Sequence, residues 1–146
     1  MTAVDTNILV YAHREDAEWH DRAAPAVAGL AESSREWAIP WPCLHEFLAI
    51  VTHPRIFRTP TPLELALGQI DAWLESPSLV VLSETDQYPD SLRDVVFASR
   101  VTGARIHDAR VAALCLSHGV RELWTADRDF SMFSQIKMRN PLASTA

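Results

Sequence analysis

Leu79-Val80-Val81-Leu82 is an unbroken apolar run bounded by Pro77 and Ser83, with no alternation of polar and apolar positions. A run of that kind suits a strand of parallel sheet covered on both faces, because a half-exposed strand alternates. The flanking sequence has the matching helices. Residues 62–75 place Leu63, Leu67, Ile70 and Leu74 on one face at helical spacing, and residues 19–33 do the same with Trp19, Ala23, Val27, Leu30 and Ala31. Trp37-Ala38-Ile39 reads as a brief strand ended by Pro40 and Pro42. A helix from Pro42 to Val51 follows, since proline suits a first turn, and it stops before Pro54. The opening Ala3-Val4 is a strand end, the polar Asp5-Thr6-Asn7 a turn or helix cap, and residues 8–12 a short helix. Downstream, residues 86–101 and 107–118 read as helices, the second closed by Gly119. Glu122 to Thr125 gives a strand, and Ile136-Lys137-Met138 a last edge strand. Strands alternating with helices predict an α/β sandwich around a mostly parallel sheet. In such sheets function collects just past the carboxyl ends of the strands.

The chain has 146 residues, which predicts a single domain over residues 1–142 with a short tail at 143–146 and no repeat or linker. Apolar residues make up 48 % and charged residues 22 %, the balance of a globular rather than a disordered chain. The 13 basic and 19 acidic residues leave a formal charge of −6, which argues against a partner held by a broad basic surface. Uncharged stretches such as Trp37 to Leu44 fall far short of the roughly 20 apolar residues of a membrane span. The start of the chain has no basic segment and carries Asp5 within its early apolar run, so no secretory signal is expected. Cys43 and Cys115 each sit among apolar neighbours and read as core thiols, which fits a reducing cytoplasm.

Four carboxylates fall at element ends. Asp5 follows the first strand, Glu46 lies near the start of its helix, Asp108 opens another, and Asp127 follows Trp124-Thr125. They are 41, 62 and 19 residues apart, so only folding brings them together. Each alone reads equally well as a helix cap or as a charge favoured by the helix dipole. As a cluster they suit a hard divalent cation, because Mg²⁺ and Mn²⁺ take oxygen ligands and leave positions for water and phosphate.

The neighbours of these acids carry a resemblance. Val4-Asp5-Thr6-Asn7, Leu44-His45-Glu46-Phe47, His107-Asp108-Ala109-Arg110 and Thr125-Ala126-Asp127-Arg128-Asp129-Phe130, in that order, are similar to the four acidic motifs of PIN-domain ribonucleases. Within that family the chain most resembles the VapC toxins of type II toxin–antitoxin pairs, and Arg139-Asn140-Pro141-Leu142 is similar to their closing segment. The resemblance implies a PIN-like three-layer α/β/α sandwich and a metal-dependent endoribonuclease that hydrolyses RNA phosphodiesters and inhibits translation. It implies one or two Mg²⁺ or Mn²⁺ ions on Asp5, Glu46, Asp108 and Asp127. Asp129 is either a further ligand or a cap on the helix that follows. Thr6, Asn7 and Thr125 match polar positions that orient the acids. A homodimer and a cognate VapB-type antitoxin are likewise implied as partners.

Arg55, Arg58, Arg105, Arg110 and Arg128 are candidates for RNA phosphate contacts, with a solvated surface role as the alternative. Trp41 and Trp124 are candidates for base stacking, and Trp19, Trp37 and Trp73 read as packing. The histidines lack the spacing of a zinc site. The Thr52 to Leu65 segment, with Ile56, Phe57 and three prolines, reads as a partly apolar loop suited to a partner. Two other readings compete. A phosphotransferase of the haloacid dehalogenase type needs a second Asp where this chain has Asn7. A catalytically silent PIN-like module that binds RNA or protein is expected to have lost its acids, and all four are present.

Overall fold

The computed structural model describes residues 1–143, so Ser144, Thr145 and Ala146 of the expected tail lie outside the described residues. In chain order the elements are β1 (Thr2–Val4), α1 (Thr6–His13), α2 (His20–Glu32), β2 (Trp37–Pro40), α3 (Trp41–Val51), α4 (Leu63–Leu74), β3 (Leu79–Leu82), α5 (Tyr88–Ser99), α6 (Ile106–Ser117), β4 (Glu122–Trp124) and β5 (Lys137–Arg139). Two 3₁₀ turns, Gly103–Arg105 and Arg128–Met132, were not legible in the sequence pattern, being too short to show a period.

Local chemistry explains the element ends. Asp5 caps α1 by accepting from the Thr6 amide at 2.8 Å, so the chain passes from strand to helix within one residue. Proline in the first turn of α3 and of α5 gives up an amide that has no helical partner there. At the end of α6, Gly119 adopts φ +73°, its amide bonds to the Leu116 carbonyl at 3.0 Å, and the Val120 amide reaches Cys115 at 2.9 Å. This pair of bonds closes the helix with the left-handed glycine that the sequence suggested.

The five strands form one sheet in the order β3-β2-β1-β4-β5, and every neighbouring pair is parallel. Helices cover both sides, completing the three-layer sandwich. The chain builds outward from β1 through β2 to β3, then returns to place β4 on the other side of β1. The crevice between the carboxyl ends of β1 and β4 is therefore the topological switch point. The core on either side of the sheet is filled by Ile8, Leu9, Trp37, Ile39, Phe47, Leu82, Leu114, Leu123 and Phe133, all fully buried.

Three expectations require correction. Leu79-Val80-Val81-Leu82 is a parallel strand, but β3 is an edge strand and only Leu82 is fully buried. Leu79, Val80 and Val81 are half-buried and pack against the core, so the run is not covered fully on both faces. In α4 the Leu63, Leu67, Leu74 stripe faces outward, each leucine being 43–54 % exposed, while Ala66 and Trp73 are buried. The Trp73 ring packs edge-on against Phe47 at 4.8 Å, so one large aromatic sets the rotation of the helix against the leucines. Trp19 immediately precedes α2 and is exposed rather than packed.

The segment between α3 and α4 is held by Arg14, whose importance the sequence did not reveal. Arg14 is buried, pairs with Asp16 through two nitrogens at 2.8 and 2.5 Å, and donates to the Thr59 carbonyl at 2.8 Å. Its guanidinium also lies 4.0 Å from the Phe57 ring centre, leaving Ile56 as the exposed apolar residue of the loop.

Candidate active site

Asp5 is the centre of the site. It follows β1 at the switch point, is only 7 % exposed, and accepts from four donors, none of them charged. Its Oδ1 receives the Thr6 amide at 2.8 Å and the Cys43 thiol at 3.5 Å. Its Oδ2 receives the Thr125 hydroxyl at 2.8 Å and the Asn7 amide at 3.5 Å. Burial pushes the Asp5 carboxyl up to about 6, against the opposing pull of Thr125, Thr6 and Cys43 and with a further push from Glu46. A buried carboxylate without a cation is costly, and this one has another carboxylate beside it.

Thr6 connects the first two acids. Its amide serves Asp5 while its hydroxyl donates to Glu46 Oε2 at 3.3 Å. Glu46 lies in the second turn of α3 and is exposed, a turn later than its expected place at the helix start. Asn7 ties the β1–α1 junction to the loop after β4, donating to Thr125 Oγ1 at 3.1 Å and accepting from the Ala126 amide at 3.1 Å. Thr125 Oγ1 in turn accepts from the Asp127 amide at 3.0 Å. One hydroxyl thus positions both the first and the fourth acid. Replacing Thr125 by Val removes the donor to Asp5 and the acceptor for two other groups, and a loss of about 10- to 100-fold in the RNA cleavage that the motif resemblance implies is expected. Thr125→Ser, which keeps the hydroxyl, is expected to retain most of the activity, measured on the same RNA.

The other three acids form a second group. Asp108 lies in the first turn of α6, and Asp127 caps the 3₁₀ turn by accepting from the Asp129 amide at 2.9 Å. Capping here belongs to Asp127, and Asp129 instead pairs with Arg105. Arg105 also donates to Asp108 Oδ2 at 3.2 Å and stands 4.0 Å from Asp127 Oδ2. Burial raises the Asp108 carboxyl, with Arg105 opposing and the charges of Asp127 and Asp129 adding to the rise. The spacing of Arg105 and Asp108, three residues apart across a helix start, was the signal in the sequence for this pairing.

Of the remaining arginines, Arg110 pairs with Glu84 at 3.4 Å and shares with His45, Glu46 and His107 a cavity of about 310 Å³ between α3 and α6. Arg128 adjoins Asp127 and is exposed. Arg55 and Arg58 lie past the far end of α3, and no hydrogen bond or ion pair joins them to the acids among the described residues. Trp41 is exposed beside this cavity, with its ring centre 6.0 Å from that of His45, whereas Trp124 is half-buried. Cys43 and Cys115 are free and buried as expected, and burial holds the Cys43 thiol protonated so that it donates to Asp5. That contact was invisible in a sequence where Cys43 reads as inert core.

The donor set is all oxygen and strongly anionic, the chemistry that a hard divalent cation satisfies. Asp5, the buried carboxylate without a cationic partner, fits that role on the geometry of this structure. Among the described residues, no three His, Cys, Asp or Glu side chains stand together as a ready-made ligand set. The acids are instead linked through Thr6 on one side and Arg105 on the other.

Comparison with known proteins bears on this arrangement. The profile of the PIN domain matches residues 2–135. The chain belongs to the PIN-domain family. Its relatives within the family include VapC proteins: it is 32 % identical over 142 residues to VapC ribonuclease Mb2897 of Mycobacterium bovis, covering 97 % of this chain and 96 % of the relative. In fold it is similar to VapBC2 from Rickettsia felis, solved with a DNA fragment from the promoter, with a TM-score of 0.70, 17 % identity, and cover of 95 % and 97 % of the two chains. It is similarly close in fold to Mycobacterium tuberculosis VapC20, with a TM-score of 0.64, 18 % identity, and cover of 94 % and 99 %. The four segments that resemble PIN motifs all start at the carboxyl edge of the sheet around the switch point, with Asp5 next to β1.

Proposed function

We propose that this chain is a metal-dependent endoribonuclease, the toxin of a type II toxin–antitoxin pair, which hydrolyses RNA phosphodiester bonds and so inhibits translation. The observation that carries this reading is Asp5, a buried, uncompensated carboxylate at the switch point with four more carboxylates on the elements around it. Its full-length relative is a VapC ribonuclease, and VapC20 is described as cleaving the sarcin–ricin loop, which makes structured RNA the favoured substrate class.

Asp5, Glu46, Asp108 and Asp127 would hold one or two Mg²⁺ or Mn²⁺ ions, with Asp129 at the margin. Such ions supply a water of lowered pKa and neutralise charge on the leaving oxygen. The protein's own part is positional. Thr6, Asn7 and Thr125 fix the direction of the Asp5 oxygens, and burial on the strand side keeps water from that carboxylate. Arg110 and Arg128 flank the acids and are offered to RNA phosphates, with Arg55 and Arg58 reserved for a longer strand. Trp41 and His45 present a stacking surface at the cavity beside Glu46.

A VapB-type antitoxin and a second copy of the chain are the proposed partners. Exposed apolar surface supports both: the α4 leucines, and a cleft of about 620 Å³ beside α5 lined by Leu92, Val96, Phe97 and Val101. No helix among the described residues is long and apolar enough to cross a membrane.

The test is cleavage of a structured RNA by the purified protein. Activity is expected with Mg²⁺ or Mn²⁺, to vanish in EDTA, and to return when the divalent ion is restored in excess. Full cleavage in EDTA by a preparation free of other nucleases would overturn the metal-dependent reading.

A further inference from the structure

We propose that Arg105 is a built-in counter-cation for the Asp108, Asp127 and Asp129 half of the site, and that a divalent ion must displace it to bind. The inference rests on the metal-dependent reading above and concerns how the same acids are held when no ion is present.

Arg105 closes the 3₁₀ turn that leads directly into α6, so its backbone is fixed one turn from Asp108. From there its guanidinium spans two elements. Nη1 donates to Asp108 Oδ2 at 3.2 Å and lies 4.0 Å from Asp127 Oδ2, while Nη2 donates to Asp129 Oδ2. One positive charge is therefore shared among three carboxylates that come from two separate segments of chain. No other basic side chain reaches them among the described residues. On the opposite side of the site, Asp5 and Glu46 have neutral donors only.

The arrangement has the properties of a cation surrogate. Guanidinium is always charged and donates in a planar fork, so it can bind oxygens that a metal would bind, without binding phosphate-ready water. It neutralises one of three negative charges, which lowers the repulsion that would otherwise drive the α6 start and the loop after β4 apart. The same pairing explains why the described acids form no ready ligand set: Asp108 Oδ2 and Asp129 Oδ2 are turned toward Arg105. A divalent ion brings twice the charge to these oxygens and excludes the guanidinium by like charge at close range. Arg105 is in this account a positioning residue of the metal-free state, and its side chain, 42 % exposed, has open solvent to move into.

Two measurements on the full chain test this. Titration calorimetry with Mn²⁺ is run on wild type and Arg105→Gln, counting only binding that Asp108→Asn abolishes. Removing a competitor held by exposed ion pairs is expected to tighten Mn²⁺ binding about three- to tenfold. Thermal unfolding of the same two proteins is expected to show Arg105→Gln melting lower than wild type without metal, and level with it at saturating Mn²⁺. Equal affinity in both proteins, or weaker binding by Arg105→Gln, overturns the inference alone, the second result meaning that Arg105 supports the loaded site. Absence of Mn²⁺ binding in both proteins overturns the metal-dependent reading, and the inference with it. Arg105→Lys, which keeps the charge but not the fork, is expected to fall between the other two.

Discussion

Asp5→Asn is expected to abolish RNA cleavage and, in the absence of metal, to make the fold more stable. The loss of cleavage should exceed about 100-fold, the upper range for residues that only orient a ligand, because Asp5 is proposed to touch the ion itself. The gain in stability follows from its burial. The folded carboxyl holds its proton up to about pH 6, against 3.8 for the ordinary group, with desolvation as the main cause. Asp5 therefore adds stability at acid pH, and that contribution is lost as the pH rises from about 4 through 6. At neutral pH the buried charge costs up to about 3 kcal/mol relative to an unshifted carboxyl. Asparagine has no charge to bury, although its single amide oxygen can accept from only one of the two donor pairs that Oδ1 and Oδ2 now serve, which offsets part of the gain. The measurement is chemical unfolding of both proteins in chelator from pH 4 to 8. Wild type should weaken relative to Asp5→Asn between pH 4 and 6 and run parallel above, and Mn²⁺ should favour wild type alone. A difference independent of pH would show that Asp5 is not the titrating group. Active sites commonly carry this trade of stability for function, and here one side chain bears it.

The second large effect lies one residue from the site. Phe47→Ala is expected to destabilise the protein by about 3–5 kcal/mol, since truncating a fully buried aromatic removes its transfer energy and leaves a cavity. Phe47 is completely buried, packs edge-on against Trp73 at 4.8 Å, and has His13 edge-on at 5.3 Å. It therefore fastens α3 to both α4 and α1. A loss of that size is a large share of the roughly 5–15 kcal/mol that holds an ordinary domain together. Urea unfolding should show a lower midpoint with an unchanged slope, and Phe47→Leu a smaller shift. Because Glu46 precedes Phe47 on the same helix, cleavage should also fall in Phe47→Ala under conditions where the protein remains folded. Retained midpoint and activity together would show that α4 does not depend on this contact.

Much of the architecture was legible along the chain. Pro40 and Pro42 marked the passage from β2 to α3, Gly119 marked the end of α6, and the alternation of strands and helices implied a parallel sheet. These signals are local: a proline lacks an amide and glycine tolerates positive φ, whatever the rest of the molecule does. Asp5, Glu46, Asp108 and Asp127 were readable as candidates, because their motifs occur in order along the chain.

Other features depended on partners distant in sequence. The stripe of α4 leucines looked like a core face, and only the Trp73–Phe47 contact turned it outward. The apolar β3 run suited a strand buried on both faces, yet it lies at the sheet edge, because strand order is set by crossovers that no local pattern encodes. Arg105 looked like one more basic residue for RNA, until folding placed Asp127 and Asp129 beside Asp108. Sequence by itself determined which groups carry charge, where helices can begin and stop, and which acids are candidates for the site. Tertiary structure decided which acid is buried without a cation and which acids share one. Burial and charge proximity are properties of residues up to 120 positions apart, as for Asp5 and Thr125, and only the folded chain assigns them.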